Sequence, residues 1–255
     1  VLMVGTNDDW ETEGNDRETL SLPGQQDELI RRVLEVNSNA VIVNNSGAPI
    51  SMPWFDQAPA VIQSWFPGQE FGNALTDILL GAANPSGKLP ITFPERLEDT
   101  PAFTNYPGEF GRVHYGEGLF VGYRWYESRD IKPLVPFGHG LSYTTFKYSE
   151  LSVSNTKVGL QLLNTGGYAG YETVQVYIEA INATVSKPKI ELRGFEKIHL
   201  EPNESKTVEV QFDHRAFEYW NELSSAWEVL AGDYAVHVGS SSRDLRLLGH
   251  IEIKA

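Results

Sequence analysis

The side chains with most to offer chemically are gathered in Trp10-Glu11-Thr12-Glu13-Gly14-Asn15-Asp16-Arg17. Carboxylates, a guanidinium and an indole this close together can move a proton, balance charge and stack on an apolar ligand face. Glu13 is read as a general acid/base carboxylate presented by this loop. Glu11 is its rival within the motif; it lacks the following glycine, Gly14, that would give Glu13 a tight backbone. Asp16 and Arg17 are expected to form a structural ion pair anchoring the loop. Trp10 either stacks on a ligand or packs the loop onto the core, the second being the commoner use of a tryptophan.

Elsewhere the chemistry thins out. Glu70 is placed where its charge favours a helix N-terminus. Glu117 and His139 sit among aromatics and read as interface hydrogen-bonders. The histidines show no H-x-H or H-E-x-x-H spacing, so no metal site is expected. Gly116-Glu117-Gly118 with Gly122 is one residue off a dinucleotide fingerprint and lacks its strand–turn–helix setting. No G-x-S-x-G is present. No cofactor is implied, and no second residue looks like a nucleophile.

The elements that must position the loop follow from periodicity. Val1 to Gly5 reads as a buried strand and Pro23 as the opening of a helix, with Leu29, Ile30, Val33 and Leu34 at helical spacing. That helix is expected to fade over Asn37-Ser38-Asn39. Ala40–Val43 is a β-branched apolar run and Ala60–Trp65 a third strand. Pro67–Glu70 opens a second helix, with Phe71, Ala74, Leu75, Ile78 and Leu79 on one face and Gly81 at its end. Strand–helix–strand alternation implies right-handed crossovers and a parallel sheet, whose ligand sites form beyond the carboxyl ends of the strands. Glu13, Asn44 and the Pro67–Glu70 turn are therefore expected at one rim.

From Asn84 to about Tyr148 prolines and aromatics break the pattern, which reads as an ordered, extended strap. Beyond it, short alternating runs at 159–163, 172–178, 207–212, 234–238 and 245–253 recur between turn signals. About seven short strands imply an immunoglobulin-like sandwich. The expected architecture is an α/β parallel-sheet sandwich, part of a three-layer domain, followed by an all-β immunoglobulin/fibronectin type III-like sandwich. Residues 1–127 are assigned to the first, 128–148 to the aromatic, Pro-rich strap and 149–255 to the second. Trp220 and Trp227 read as core or strap contacts.

Composition sets bounds. The chain has 255 residues, a net charge of −14 and no cysteine. That charge argues against a nucleic-acid partner, and no apolar run is long enough for a membrane span. Without cysteine there is no disulfide, thiolate site or Cys nucleophile; the compartment stays open between secreted and intracellular, as does homo-oligomerisation. Sequons at Asn44, Asn182 and Asn203 are no more than chance supplies, and Asn44 ends a buried strand where no glycan is expected. The first residues read as the interior of an element, so the chain is expected to be a piece of something larger.

Several motifs in order carry a resemblance: Trp10–Arg17 with Leu22-Pro23-Gly24; Val43-Asn44-Asn45-Ser46-Gly47; Trp65-Phe66-Pro67-Gly68-Gln69-Glu70 through Asn84-Pro85-Ser86-Gly87-Lys88-Leu89-Pro90-Ile91-Thr92-Phe93-Pro94; Tyr115-Gly116-Glu117-Gly118 with Val121–Tyr126; and Pro136–Phe146. Together they resemble the C-terminal half of a glycoside hydrolase family 3 β-glucosidase. The resemblance implies an N-terminal (β/α)₈ barrel bearing an Asp nucleophile, not found in this sequence, a second α/β sandwich domain and a fibronectin type III-like domain. In many relatives a sugar-binding domain is inserted within the second domain, and a chain starting at Val1 would begin just after it.

Glu13, followed directly by Gly14, matches the family's acid/base Glu. Asn15 stands where some relatives place an aromatic against the leaving-group sugar, which puts aglycone preference in question; Trp10 is the other candidate substrate contact. The implied partners are β-glucosides or cello-oligosaccharides and the barrel part of the same enzyme. The implied reaction is retaining hydrolysis of terminal β-D-glucosyl residues, with this piece inactive alone. The competing readings are a non-catalytic assembly portion and a β-xylosidase-type relative; sugar binding by the β-sandwich itself is a third.

Overall fold

The computed structural model describes residues 1–254. Its N-terminal unit is built on β1 (Leu2–Gly5), α1 (Gln26–Val36), β2 (Val41–Asn45) and β3 (Ala60–Gln63), the strands parallel in the order β1-β2-β3. β2 is central, which is why its Ile42 and Val43 are fully buried and its sequence shows no polar alternation. Gly5 is required by close approach: a Cβ there would lie 2.0 Å from the Asn45 carbonyl oxygen. α1 buries Ile30 against Val4, Leu22, Ile42, Ile50, Met52, Trp54, Phe93 and Val135. Its outer face carries Glu28–Arg31, Glu28–Arg32 and Arg31–Glu35 pairs.

Three expected boundaries shift. α1 opens at Gln26, not Pro23, because Pro23-Gly24 forms a turn with Gly24 at φ +64°. The Gln26 amide then ties that turn to the sheet, accepting from Gly5 N–H and donating to the Gly5 and Pro23 carbonyls. β3 stops at Gln63, two residues before Trp65. Ser64 N–H still bonds the Asn44 carbonyl, but Trp65 adopts φ +57° with its ring 6.1 Å from Phe93. α2 (Phe71–Leu79) starts after the Pro67-Gly68 turn, ends before Gly81 at φ +77°, and buries no residue completely. Ala74, expected on its apolar face, is exposed.

The segment from Asn84 to Tyr148, expected as an extended strap, is not wholly extended. Residues Leu89 to Phe93 run beside Val135 to His139, linked by Leu89 N–H to the His139 carbonyl, Gly138 N–H to the Leu89 carbonyl and Phe93 paired with Val135. Between them lies α3 (Tyr123–Arg129), a helix the sequence reading missed. Seven residues make too few turns for periodicity to register.

The second unit comprises β4 (Phe146–Val153), β5 (Lys157–Asn164), β6 (Gly170–Ala180), β7 (Glu191–Leu200), β8 (Ser205–Gln211), β9 (Glu218–Asn221), β10 (Ala226–Val229), β11 (Gly232–Gly239) and β12 (Leu245–Ile253). Sheets β4-β5-β8 and β12-β11-β6-β7 face each other. Alternate residues point inward, Val158, Leu160 and Leu162 from one sheet meeting Val174, Val176, Val236 and Val238 from the other. β9 and β10 form a separate hairpin. On it Trp220 and Trp227 are a cross-strand, edge-to-face pair, 49% and 50% exposed. They belong neither to the core nor to the strap, contrary to the sequence reading.

The strap joins the two units through polar contacts. Lys88 pairs with Glu172 at 2.9 Å and also donates to the Gly140 carbonyl. Asn84 receives Ser142 Oγ and Tyr143 N–H and donates to the Ala169 carbonyl. Glu127 of α3 pairs with Arg243 at 2.8 Å, and Tyr123 stacks on Phe137 with its edge to Tyr177.

Candidate active site

The loop from Thr6 to Leu22 leaves the carboxyl end of β1 and returns to α1. Its entrance is a turn in which the Trp10 and Glu11 N–H groups both reach the Asn7 carbonyl. Glu11 then turns inward. Its carboxylate accepts from Thr6 Oγ1 and, at 3.1 Å, from Gly47 N–H, and lies 3.7 Å from Arg17. A Cβ on Gly47 would come within 2.6 Å of both Glu11 Oε2 and the Phe66 ring. The loops following β1, β2 and β3 therefore do converge at one rim, as parallel topology requires. They meet through Glu11, Gly47 and Phe66 rather than through Glu13 and Asn44. Asn44 itself is fully buried, its amide donating to Ser46 Oγ and Gln63 Oε1.

Past this anchor the chain reverses in a tight turn, with Thr12 bridging to Asn15 and Glu13-Gly14 at the tip. Glu13 is exposed, and among the described residues its carboxylate has no hydrogen-bond or ion-pair partner. The reason first given for preferring it to Glu11 does not hold. Gly14 is outside the left-handed region, and a Cβ there would meet nothing within 4 Å. The distinction is one of commitment: Glu11 Oε1 is engaged by three neighbours within the chain, whereas the Glu13 carboxylate is engaged by none among the described residues.

The expected Asp16–Arg17 pair is not formed. Arg17 turns back to Glu11, and Asp16 accepts from the Tyr106 phenol of the strap. Asn15 is exposed beside the turn, and Trp10 is half-buried at its base with its indole N–H unpaired. The strap around Tyr106 folds back between Glu109 and Arg112 and encloses an open depression of about 660 Å³ beside the loop. Glu117, expected at an interface, instead holds the strap itself by accepting from Asn105 Nδ2 at 2.9 Å. His139 contributes its backbone to the strap ladder; burial, then the Lys88 charge, lowers the pKa of its ring. Glu70 stands at the N-cap position of α2 without a side-chain capping bond; its carboxylate accepts from Asn73 Nδ2. Sequence reasoning missed Tyr106, as it missed the Thr6 and Gly47 bonds to Glu11; nothing in the spacing links Tyr106 to a residue ninety positions away.

Residues 1–143 match the glycosyl hydrolase family 3 C-terminal domain and residues 172–242 a fibronectin type III-like domain. A β-glucosidase of Kluyveromyces marxianus is 50% identical over 96% of this chain, which spans 30% of that protein. The thermostable β-glucosidase B of Acetivibrio thermocellus is 45% identical over the full chain, which spans 35% of it. The crystal structure of the Kluyveromyces marxianus enzyme in complex with glucose superposes with a TM-score of 0.94 at 48% identity, covering 100% of this chain and 31% of that one. The chain thus spans about a third of the length of the curated relatives it matches.

Proposed function

The chain belongs to glycosyl hydrolase family 3, and from that premise we propose that it supplies the general acid/base carboxylate, Glu13, of a retaining β-glucosidase. The observation that carries this reading is the contrast at the loop: Glu11 is locked into the rim, while Glu13 stands unpaired at the tip of the turn beyond the carboxyl end of β1.

The nucleophile is an Asp of the barrel part of the enzyme. In the first half-reaction that Asp attacks the anomeric carbon while the Glu13 carboxylic acid gives its proton to the departing glycosidic oxygen. In the second, the Glu13 carboxylate takes a proton from the water that displaces the enzyme ester, and the acid is regenerated. The two carboxyl groups of such a pair stand about 5 Å apart, which a free carboxyl on a projecting turn achieves when the barrel docks against it. The acid must stay protonated near working pH, and the charge of the attacking Asp and exclusion of water both favour that form. This portion alone is therefore inactive. Substrates are β-glucosides, with Trp10 and Asn15 as contacts flanking the turn; a polar residue at position 15 favours aglycones bound through hydrogen bonds over stacked ones.

Glu13→Gln in the complete enzyme tests the assignment. Removing a general acid costs on the order of 10²–10⁴ in rate. We expect at least ~100-fold loss on substrates with basic leaving groups such as cellobiose; with 2,4-dinitrophenyl β-glucoside, whose leaving group needs no proton, the first half-reaction is spared, so the glycosyl-enzyme forms in a burst and its slowed hydrolysis is relieved by azide. Near-normal turnover of cellobiose would refute the assignment.

A further inference from the structure

Between Thr12 and Asp16 the Glu13 turn has little to hold it. Among the described residues, one side chain from another element bonds this stretch: the Tyr106 phenol, donating to Asp16 Oδ2. Upstream, the loop is fixed by the Glu11 cluster; downstream, Ser51 N–H bonds the Leu20 carbonyl. Asp16 thus sits where a single contact decides whether the turn stays against the strap or swings out into solvent.

Tyr106 is well placed to serve as that fixed point. Its own N–H and that of Asn105 both bond the Ala102 carbonyl, and Asn105 is held by Glu117. Just beyond it the strap doubles back so closely that a Cβ on Gly108 would lie 2.1 Å from the Arg112 carbonyl oxygen, at a φ of +87° that favours glycine. The hydrogen bond to the Asp16 carboxylate also raises the pKa of the Tyr106 phenol. A charge-assisted bond of this kind is among the stronger ones available to an exposed loop.

We propose that Tyr106 is a positioning residue for catalysis: through Asp16 it latches the Glu13 turn to the strap and holds the acid/base carboxyl at the height the leaving oxygen requires. This rests on the assignment of Glu13 made above. A displacement of about 1 Å of a catalytic group costs up to ~100-fold, so loosening the latch is felt wherever Glu13 transfers a proton and nowhere else.

The test uses Tyr106→Phe, Asp16→Ala and the double variant in the complete enzyme, with Glu13→Gln beside them. The latch predicts that Tyr106→Phe lowers kcat on cellobiose by ~10-fold, with KM and the melting temperature close to wild type. Turnover of 2,4-dinitrophenyl β-glucoside, limited by the second half-reaction, falls similarly and recovers with added azide. The anion attacks the anomeric carbon of the ester intermediate, the Asp carboxylate leaves, and β-glucosyl azide forms without help from a base. Asp16→Ala should match Tyr106→Phe, and the double variant should be no worse than either. Wild-type kinetics in Tyr106→Phe, or a loss of 2,4-dinitrophenyl β-glucoside turnover that azide does not relieve, would overturn the latch. If Glu13→Gln is disabled in the same experiment, the assignment of Glu13 survives that outcome; if Glu13→Gln turns over normally, the assignment itself fails.

Discussion

At the scale of single residues, two glutamates two positions apart stand in opposite surroundings. Glu11 satisfies Thr6, the Gly47 N–H and Arg17. Exchanging its carboxylate for an amide leaves the largely buried Arg17 guanidinium without a counter-charge. Glu11→Gln is therefore expected to cost roughly 1–3 kcal/mol, read as a lowered melting temperature, whereas Glu13→Gln should leave melting unchanged and abolish proton transfer. If the effects are reversed, the roles are reversed. The sequence alone did not separate the two. The resemblance selected Glu13, and the argument from Gly14 proved to have no steric basis. The Asp16–Arg17 pair was equally illegible for a physical reason: neighbouring residues in an extended chain point to opposite sides, so Arg17 faces Glu11 inside the loop and Asp16 faces the strap.

Among elements, what could be read was what burial dictates. The apolar strand β2 and the alternating strands of the sandwich announce themselves because one or both of their faces are dry. Helix starts did not, because Pro23 and Pro67 belong to turns closed by Gly24 and Gly68 at positive φ. The short helix α3 and the β9–β10 hairpin lie where packing is partial and pattern is weak. One element contact carries a pH signature. Arg246 on β12 bonds Asp244 and the Phe146 carbonyl at the start of β4, and its guanidinium lies 4.7 Å over Tyr148. Its hydrogen bond to Asp244, with a further one from Ser240, holds the Asp244 carboxyl below its usual range. A depressed folded-state value stabilises the fold above the unfolded pKa of about 4 and ceases to do so as pH falls through the folded value. Asp244→Asn should then lower the melting temperature at pH 7 by an amount equivalent to about 0.5–1 kcal/mol, the partial exposure of the pair keeping it small. Wild type and variant should converge in strongly acid solution; a gap that widens on acidification would contradict the pairing.

For the whole molecule, the strap makes the α/β unit and the sandwich one body. Lys88 and Glu172 are both largely buried across that seam, so removing one partner strands the other. Lys88→Met is expected to destabilise by roughly 3 kcal/mol, and the double replacement Lys88→Met/Glu172→Leu to recover most of it, as followed by thermal unfolding. Equal losses in both would mean the pair contributes little beyond packing. The same contacts give the Glu13 turn its bearings: the sheet fixes one flank and the strap the other. The most direct measurement is a crystal structure of the complete enzyme with glucose bound. The account predicts a Glu13 carboxyl oxygen within about 2.6–3.2 Å of the anomeric hydroxyl and roughly 5 Å from a barrel Asp. A Glu13 side chain turned to solvent, with Glu11 or any other carboxylate at that hydroxyl, would contradict it.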